Sequence, residues 1–264
     1  MITAIIKIPV FIVVLFLYII ISLLGDLFIR GAEKKYRFFM KVTGWASRKA
    51  LWIFNIKVNV KNFNPAVLET PHLIVSNHMS YIDILILSSI YPSLYVTSVE
   101  VQKTFFLGLM AKSGGSLFVE RRSKTKLLEE IDRISGVLRK GFSITLFPEG
   151  TSSNGESVLP FKGALFSTAE KAAVKILPLC IRYDKINNHQ FSAQNRDAVC
   201  YYGDIMFFPH ICNLFFVKRV DVTVTFLSEI DIDGKERKEI VDSCYESIMT
   251  TYSNGTLSDV LPLQ

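Results

Sequence analysis

Leu73-Ile74-Val75-Ser76-Asn77-His78-Met79-Ser80-Tyr81-Ile82-Asp83-Ile84-Leu85-Ile86 is the stretch whose reading decides the fold. Leu73 to Val75 has the composition of a short buried strand, and Tyr81 to Ile90 that of a mostly apolar helix. The polar residues between them form a strand-to-helix junction. His78 and Asp83 straddle it, and folding back brings carboxylate to imidazole, as in a general base with its orienting acid. An imidazole, with an unperturbed pKa of about 6.5, accepts a proton near neutral pH without further activation. A lone histidine beside a buried strand is more often a structural residue, so catalysis rests on what the rest of the chain adds.

Downstream, the same alternation repeats. Leu94 to Thr97 reads as a second strand, Thr104 to Lys112 as a helix ending at Gly114-Gly115, and Ser116 to Val119 as a third strand. Leu127, Leu128, Ile131, Ile134, Val137 and Leu138 then share one face of an amphipathic helix closed by Gly141. Phe142 to Leu146 is a fourth strand, Gly163 to Ala173 a helix, and Ile176 to Ile181 a fifth strand. Asn187 to Asn195 reads as a loop, Val222 to Leu227 as a late strand and Gly234 to Tyr252 as a closing helix. This alternation predicts an α/β domain in which helices cover the sheet and ligands sit at the C-terminal ends of the strands.

Upstream lies the surplus hydrophobicity of a chain that is 50% hydrophobic over 264 residues. No charged side chain occurs between Lys7 and Asp26, and Ile8 to Leu24 is almost wholly Ile, Leu, Val, Phe and Tyr. This is near the short limit for a spanning helix. The run is too long for a signal peptide and has no small-residue cleavage site, so it reads as a retained anchor. From Arg30 to Lys61, Lys and Arg alternate with Phe and Trp, the pattern of a helix at the headgroup layer. A hairpin inserted from one face and a single span followed by an interfacial helix both satisfy it. The expected organisation is a membrane-associated helical segment over 1–61, an α/β domain over 62–253 and a mobile tail over 254–264.

A net charge of +6 carries no nucleic-acid motif with it, and membrane lipids are the expected partner. Cys180, Cys200, Cys212 and Cys244 show neither zinc spacing nor a disulfide framework, so no metal site and a reducing compartment are expected. Nothing marks an oligomeric state.

Polar groups recur at three strand ends: His78 and Asp83, then Glu120-Arg121-Arg122, then Phe147-Pro148-Glu149-Gly150-Thr151-Ser152. In an α/β sheet these ends converge on one cleft. A plain ion pair between Arg121 and Glu149 would also account for two of them.

Four motifs in order, Asn77-His78-x-x-x-x-Asp83, Gly115-x-x-Phe118-Val119-x-Arg121, Phe147-Pro148-Glu149-Gly150-Thr151 and Ile176-Leu177-Pro178-Leu179, resemble those of the glycerolipid acyltransferases, the family of the 1-acylglycerol-3-phosphate O-acyltransferases. The resemblance covers about Leu73 to Tyr183. It implies the family's mixed, mostly parallel sheet and transfer of an acyl group from acyl-CoA or acyl-carrier protein, as co-substrate, to the free hydroxyl of a lysolipid. It makes His78 the base and Asp83 its partner, Arg121 the grip on the acceptor's phosphate, and Glu149, Gly150 and Thr151 the acceptor site. No covalent acyl-enzyme is needed, and no Gly-x-Ser-x-Gly elbow is present. Ser152 stands where many members carry arginine, and Ser98-Val99 precede Glu100 where many carry lysines. Arg122, Lys103 and Lys162 are the remaining candidate cations. The run Thr151 to Gly155, Leu159-Pro160-Phe161-Lys162, Tyr202-Gly203-Asp204 and Phe208-Pro209-His210 resembles a bacterial subgroup that includes lyso-ornithine-lipid acyltransferases. The expected acceptor is therefore 1-acylglycerol-3-phosphate, giving phosphatidic acid, with lyso-ornithine lipid as the alternative and a non-catalytic lipid-binding protein as a third reading. The expected location is the inner membrane of a bacterium, with the site facing the cytoplasm.

Overall fold

The computed structural model describes residues 4–120 and 122–258. In chain order the elements are α1 (Ala4–Phe28), α2 (Ala32–Phe54), β1 (Ile56–Lys61), β2 (Leu73–Ser76), α3 (Tyr81–Ile90), β3 (Leu94–Ser98), α4 (Val99–Lys103), α5 (Phe105–Ser113), β4 (Leu117–Val119) and α6 (Lys124–Arg139). There follow β5 (Ile144–Leu146), α7 (Ser167–Ala172), β6 (Ile176–Ile186), β7 (His189–Gln190), α8 (Phe207–Leu214), β8 (Val220–Phe226) and α9 (Arg237–Ser258).

The strands form one sheet in the order β1-β8-β6-β2-β5-β3-β4, with β7 hairpinned on β6. Every neighbouring pair in that order is parallel except β6 with β8. The expected mixed, mostly parallel sheet covered by helices is thus the architecture observed. β2 lies at its centre, with Val75 opposite both Leu146 of β5 and Pro178 of β6. All four β2 residues are buried, as a strand covered on both faces requires. The C-terminal end of β2 therefore delivers His78 beside the Phe147-Pro148-Glu149-Gly150 turn that follows β5.

The stretch read as membrane-associated contains more of the domain than expected. Ile56–Lys61 is an edge strand, β1, paired parallel to β8. Its Ile-Lys-Val-Asn-Val-Lys alternation has the period of a strand, and its two lysines imitated the mixed pattern of an interfacial helix. The buried face of α2, including Phe39, Val42, Leu51 and Phe54, packs against α1 and α3, while Trp52 remains exposed. At the other end α9 runs to Ser258, through residues expected as tail; 259–264 lie outside the described residues.

The core follows the periodicities. Ile131, Ile134, Val137 and Leu138 of α6 are buried, as are Ile240, Cys244 and Ile248 of α9. Leu128, expected on the buried face of α6, is exposed, because it sits one position off the 127, 131, 134, 138 stripe. Helix α8 went unrecognised in the sequence, its Phe-Phe-Pro-His start offering no cap.

Candidate active site

Asp83 explains the spacing of its motif. Ser80 is the N-cap of α3 and Asp83 is its third residue, and the two close a capping box. Oδ2 of Asp83 accepts from the backbone N–H of Ser80 at 2.8 Å and of Met79 at 2.7 Å, and lies 2.9 Å from Nδ1 of His78. Its Oδ1 accepts from the Tyr183 hydroxyl at 2.8 Å. The carboxyl is completely buried. A buried carboxylate that accepts from the N-cap and two residues upstream places an imidazole five positions before it, so the helix start and the candidate catalytic pair share one construction.

His78 is held from all sides. Its ring stacks on Phe147 at 4.1 Å with planes 15° apart. Its backbone N–H donates to Glu149 Oε1 at 2.6 Å and its carbonyl accepts from Ser153 N–H at 2.8 Å. One residue earlier, the Asn77 amide makes two bonds to the backbone of Ile181, each 2.8 Å, clamping the end of β2 to β6. With Nδ1 facing Asp83, Nε2 is the nitrogen left to meet a substrate, and the ring borders a cavity of about 430 Å³.

That cavity is apolar. His78, Tyr81, Phe147, Gly150, Thr151 and Ser152 form its polar end. Beyond them it runs between α2, α5 and α1, whose Phe11, Val14, Leu15 and Tyr18 supply one wall. Tyr81 belongs to a group that the sequence did not reveal: its hydroxyl is hydrogen-bonded to Nδ1 of the buried His210 at 2.9 Å, and burial holds that imidazole below its ordinary pKa.

The remaining predicted residues divide. Gly150 and Thr151 border the cavity, and Gly150, with φ of 76°, closes the Phe147-Glu149 turn in a conformation that favours glycine. Glu149 does not border it. The residue is 3% exposed, and its second oxygen accepts from Leu159 N–H at 2.9 Å, so both oxygens serve backbone amides. Burial pushes its pKa up to about 7 against the pull of those two bonds. The geometry makes it a tie that positions His78, where a contact to the acceptor had been expected. Lys103 and Lys162 are exposed and outside the lining, and Arg122 pairs at the surface with Glu100 at 3.3 Å. Among the described residues no Lys or Arg lines the cavity. Arg121, the predicted phosphate grip, lies outside the described residues. Ser152 donates its hydroxyl to the Tyr201 carbonyl.

The three buried cysteines are not activated. Burial pushes the Cys180 and Cys244 thiols up to about 12 and raises that of Cys200, the wrong direction for nucleophiles. Among the described residues no group of three or more His, Cys, Asp or Glu could hold a metal ion.

A family model described as Acyltransferase matches residues 55–182, the span from the start of the sheet to β6. The chain is also 30% identical over 178 residues to the 1-acyl-sn-glycerol-3-phosphate acyltransferase of Neisseria gonorrhoeae, covering 67% of each protein. The chain belongs to the acyltransferase family. Within it, the lyso-ornithine lipid O-acyltransferase of Brucella abortus is 27% identical over 241 residues, covering 86% of this chain and 90% of that protein. The crystal structure of PlsC, the 1-acyl-sn-glycerophosphate acyltransferase from Thermotoga maritima, superposes with a TM-score of 0.66 over 98% of this chain and 97% of its own, at 16% identity, and so shares the fold. Among the described residues this acyltransferase also carries one helix, α1, long and apolar enough to cross a membrane, which accords with membrane association.

Proposed function

We propose that this acyltransferase moves an acyl group from a thioester, acyl-CoA or acyl-carrier protein, to the free hydroxyl of a lysolipid, with His78 as general base. The observation that carries the reading is the Asp83-His78 pair set at the polar end of an apolar cavity. Asp83 accepts from Nδ1–H and so fixes the tautomer whose Nε2 has a lone pair. Nε2 takes the proton from the acceptor hydroxyl as its oxygen attacks the thioester carbonyl. The tetrahedral intermediate collapses with cleavage of the C–S bond, and the leaving thiolate takes the proton from His78. A thioester is already activated, so one base and accurate positioning suffice. The cavity is within the range of small-molecule sites, and its apolar walls suit a fatty chain. The thioester donor and the four free cysteines favour a site facing the cytoplasm, and the apolar N-terminal helix favours attachment to the inner membrane of a bacterium.

The resemblance carried by Arg121 favours 1-acylglycerol-3-phosphate as acceptor, giving phosphatidic acid. Two observations favour lyso-ornithine lipid: no described cation lines the cavity, and the Brucella relative matches over nearly its whole length. The test is purified enzyme in detergent with a labelled long-chain acyl donor, CoA or carrier protein, and a panel of lysolipids. Transfer to 1-acylglycerol-3-phosphate selects the first acceptor, and transfer to lyso-ornithine lipid alone selects the second. Transfer to none with either donor overturns the reading.

A further inference from the structure

Four large apolar side chains stand in solvent around α5 and α8: Phe105 at 89% exposure, Met206 at 70%, Phe208 at 61% and Phe216 at 70%. Each of the three phenylalanines is next in sequence to an aromatic ring fixed inside. Phe106 and Phe207 line the cavity with centroids 5.0 Å apart, and Phe215 packs against Phe11 at 5.5 Å and Phe54 at 5.1 Å. The exposed neighbours therefore cannot turn inward without pulling those rings out. Phe208 also lies 5.9 Å from Phe106, which joins α8 to α5, and exposed apolar side chains grouped on packed elements mark an interaction site.

Its surroundings identify the partner. Lys7 Nζ donates to the Val217 carbonyl at 2.8 Å, next to Phe216, and Tyr18 donates to the Met110 carbonyl of α5 at 3.2 Å, so α1 adjoins both elements that carry the patch. The outer face of α1 presents Ile5, Ile12, Phe16, Leu23 and Leu27. Lys103 and Lys218, both exposed, lie two positions from Phe105 and Phe216. Aromatic rings rimmed by lysines match the boundary between acyl chains and anionic headgroups. A protein partner would leave the continuity with α1 without a purpose.

We propose that the α5–α8 surface, formed by Phe105, Met206, Phe208 and Phe216 and rimmed by Lys103 and Lys218, is a second membrane-insertion surface. It enters the same anionic lipid interface as the outer face of α1. Attachment is then made on both sides of the cavity, whose Phe106 and Phe207 wall sits just behind the inserted rings. That purpose rests on the reading of the substrate as a lipid, but the insertion is measured without turnover, so the two fail separately.

The test uses the full chain with Cys212→Ser, leaving no native thiol exposed among the described residues, and single cysteines introduced by Phe105→Cys, Phe208→Cys, Phe16→Cys or Lys235→Cys. Each is labelled with an environment-sensitive fluorophore and mixed with vesicles of phosphatidylethanolamine and phosphatidylglycerol bearing brominated chains. Lys235 is the aqueous control: it is exposed and follows Ile230, which bridges the start of β6 at the opposite end of the sheet from His78. The expected result is a blue shift at 105 and 208 with quenching within about twofold of that at 16. Emission and quenching at 105 and 208 equal to those at 235 would overturn the proposal, whatever position 16 does. Thermal melting of each labelled protein verifies the fold.

Discussion

Asp83 does two jobs with one carboxylate, and its substitution reads both. Asp83→Asn keeps the shape but turns an amide donor towards groups that themselves donate. We expect a loss of about 1–3 kcal/mol in unfolding free energy and a fall in turnover of about 10²-fold or more, since the His78 tautomer is no longer fixed. Denaturant titration and steady-state assay check the two. Tyr183→Phe removes one of the four donors and should cost about 1 kcal/mol with a smaller loss of turnover. Glu149 gives a prediction in pH. Its folded pKa, about 7, is raised above the ordinary 4.5, so folding favours the protonated form. Its contribution is complete below 4.5 and is lost as pH rises towards 7, at most about 3 kcal/mol. Glu149→Gln removes that titration, so the stability of the variant relative to wild type should rise across this window. A constant difference between the two would show that Glu149 does not titrate there. The spacing of His78 and Asp83 was legible in the sequence because it is local. The roles of Tyr183, Asn77 and Glu149 were not, because their partners lie far along the chain or are backbone groups, which leave no residue pattern.

At the scale of elements, α1 shows what hydropathy hides. Apolar residues facing lipid and apolar residues facing a cavity have the same composition, so Phe11, Val14 and Leu15 read as anchor while they line the site. The contact face also includes Lys7, Tyr18, Ser22 and Gly25, at the three- and four-residue spacing of one helical stripe. Leu15→Trp, which enlarges a cavity wall, should lower kcat/KM at least tenfold for a long-chain donor and less for a short one. Equal effects on both donors would place the acyl chain elsewhere. The strands near the motifs were legible from their short apolar runs between turn residues. β1 was not, since an amphipathic edge strand with lysines resembles an interfacial segment over so few residues.

On the scale of the whole molecule, parallel pairing of β2 with β5 converts two separated motifs into neighbours: His78, just beyond β2, and Phe147, just beyond β5, border the same cleft. The convergence of strand ends was foreseeable from the α/β alternation. What the sequence left open was the character of the cleft, an apolar chamber closed by the N-terminal helices α1 and α2 together with α5 and α8 from later in the chain, because a cavity is defined by what packs around it. The central claim is that His78 is the base for acyl transfer inside that chamber. It is tested most directly by comparing wild type with His78→Ala in single-turnover transfer from a labelled acyl thioester to a saturating lysolipid acceptor, with melting curves confirming that both are folded. We expect a loss of about 10²–10⁴-fold in the rate of acyl transfer with little change in melting. A folded His78→Ala enzyme that transfers acyl groups within a few-fold of the wild-type rate would contradict the account.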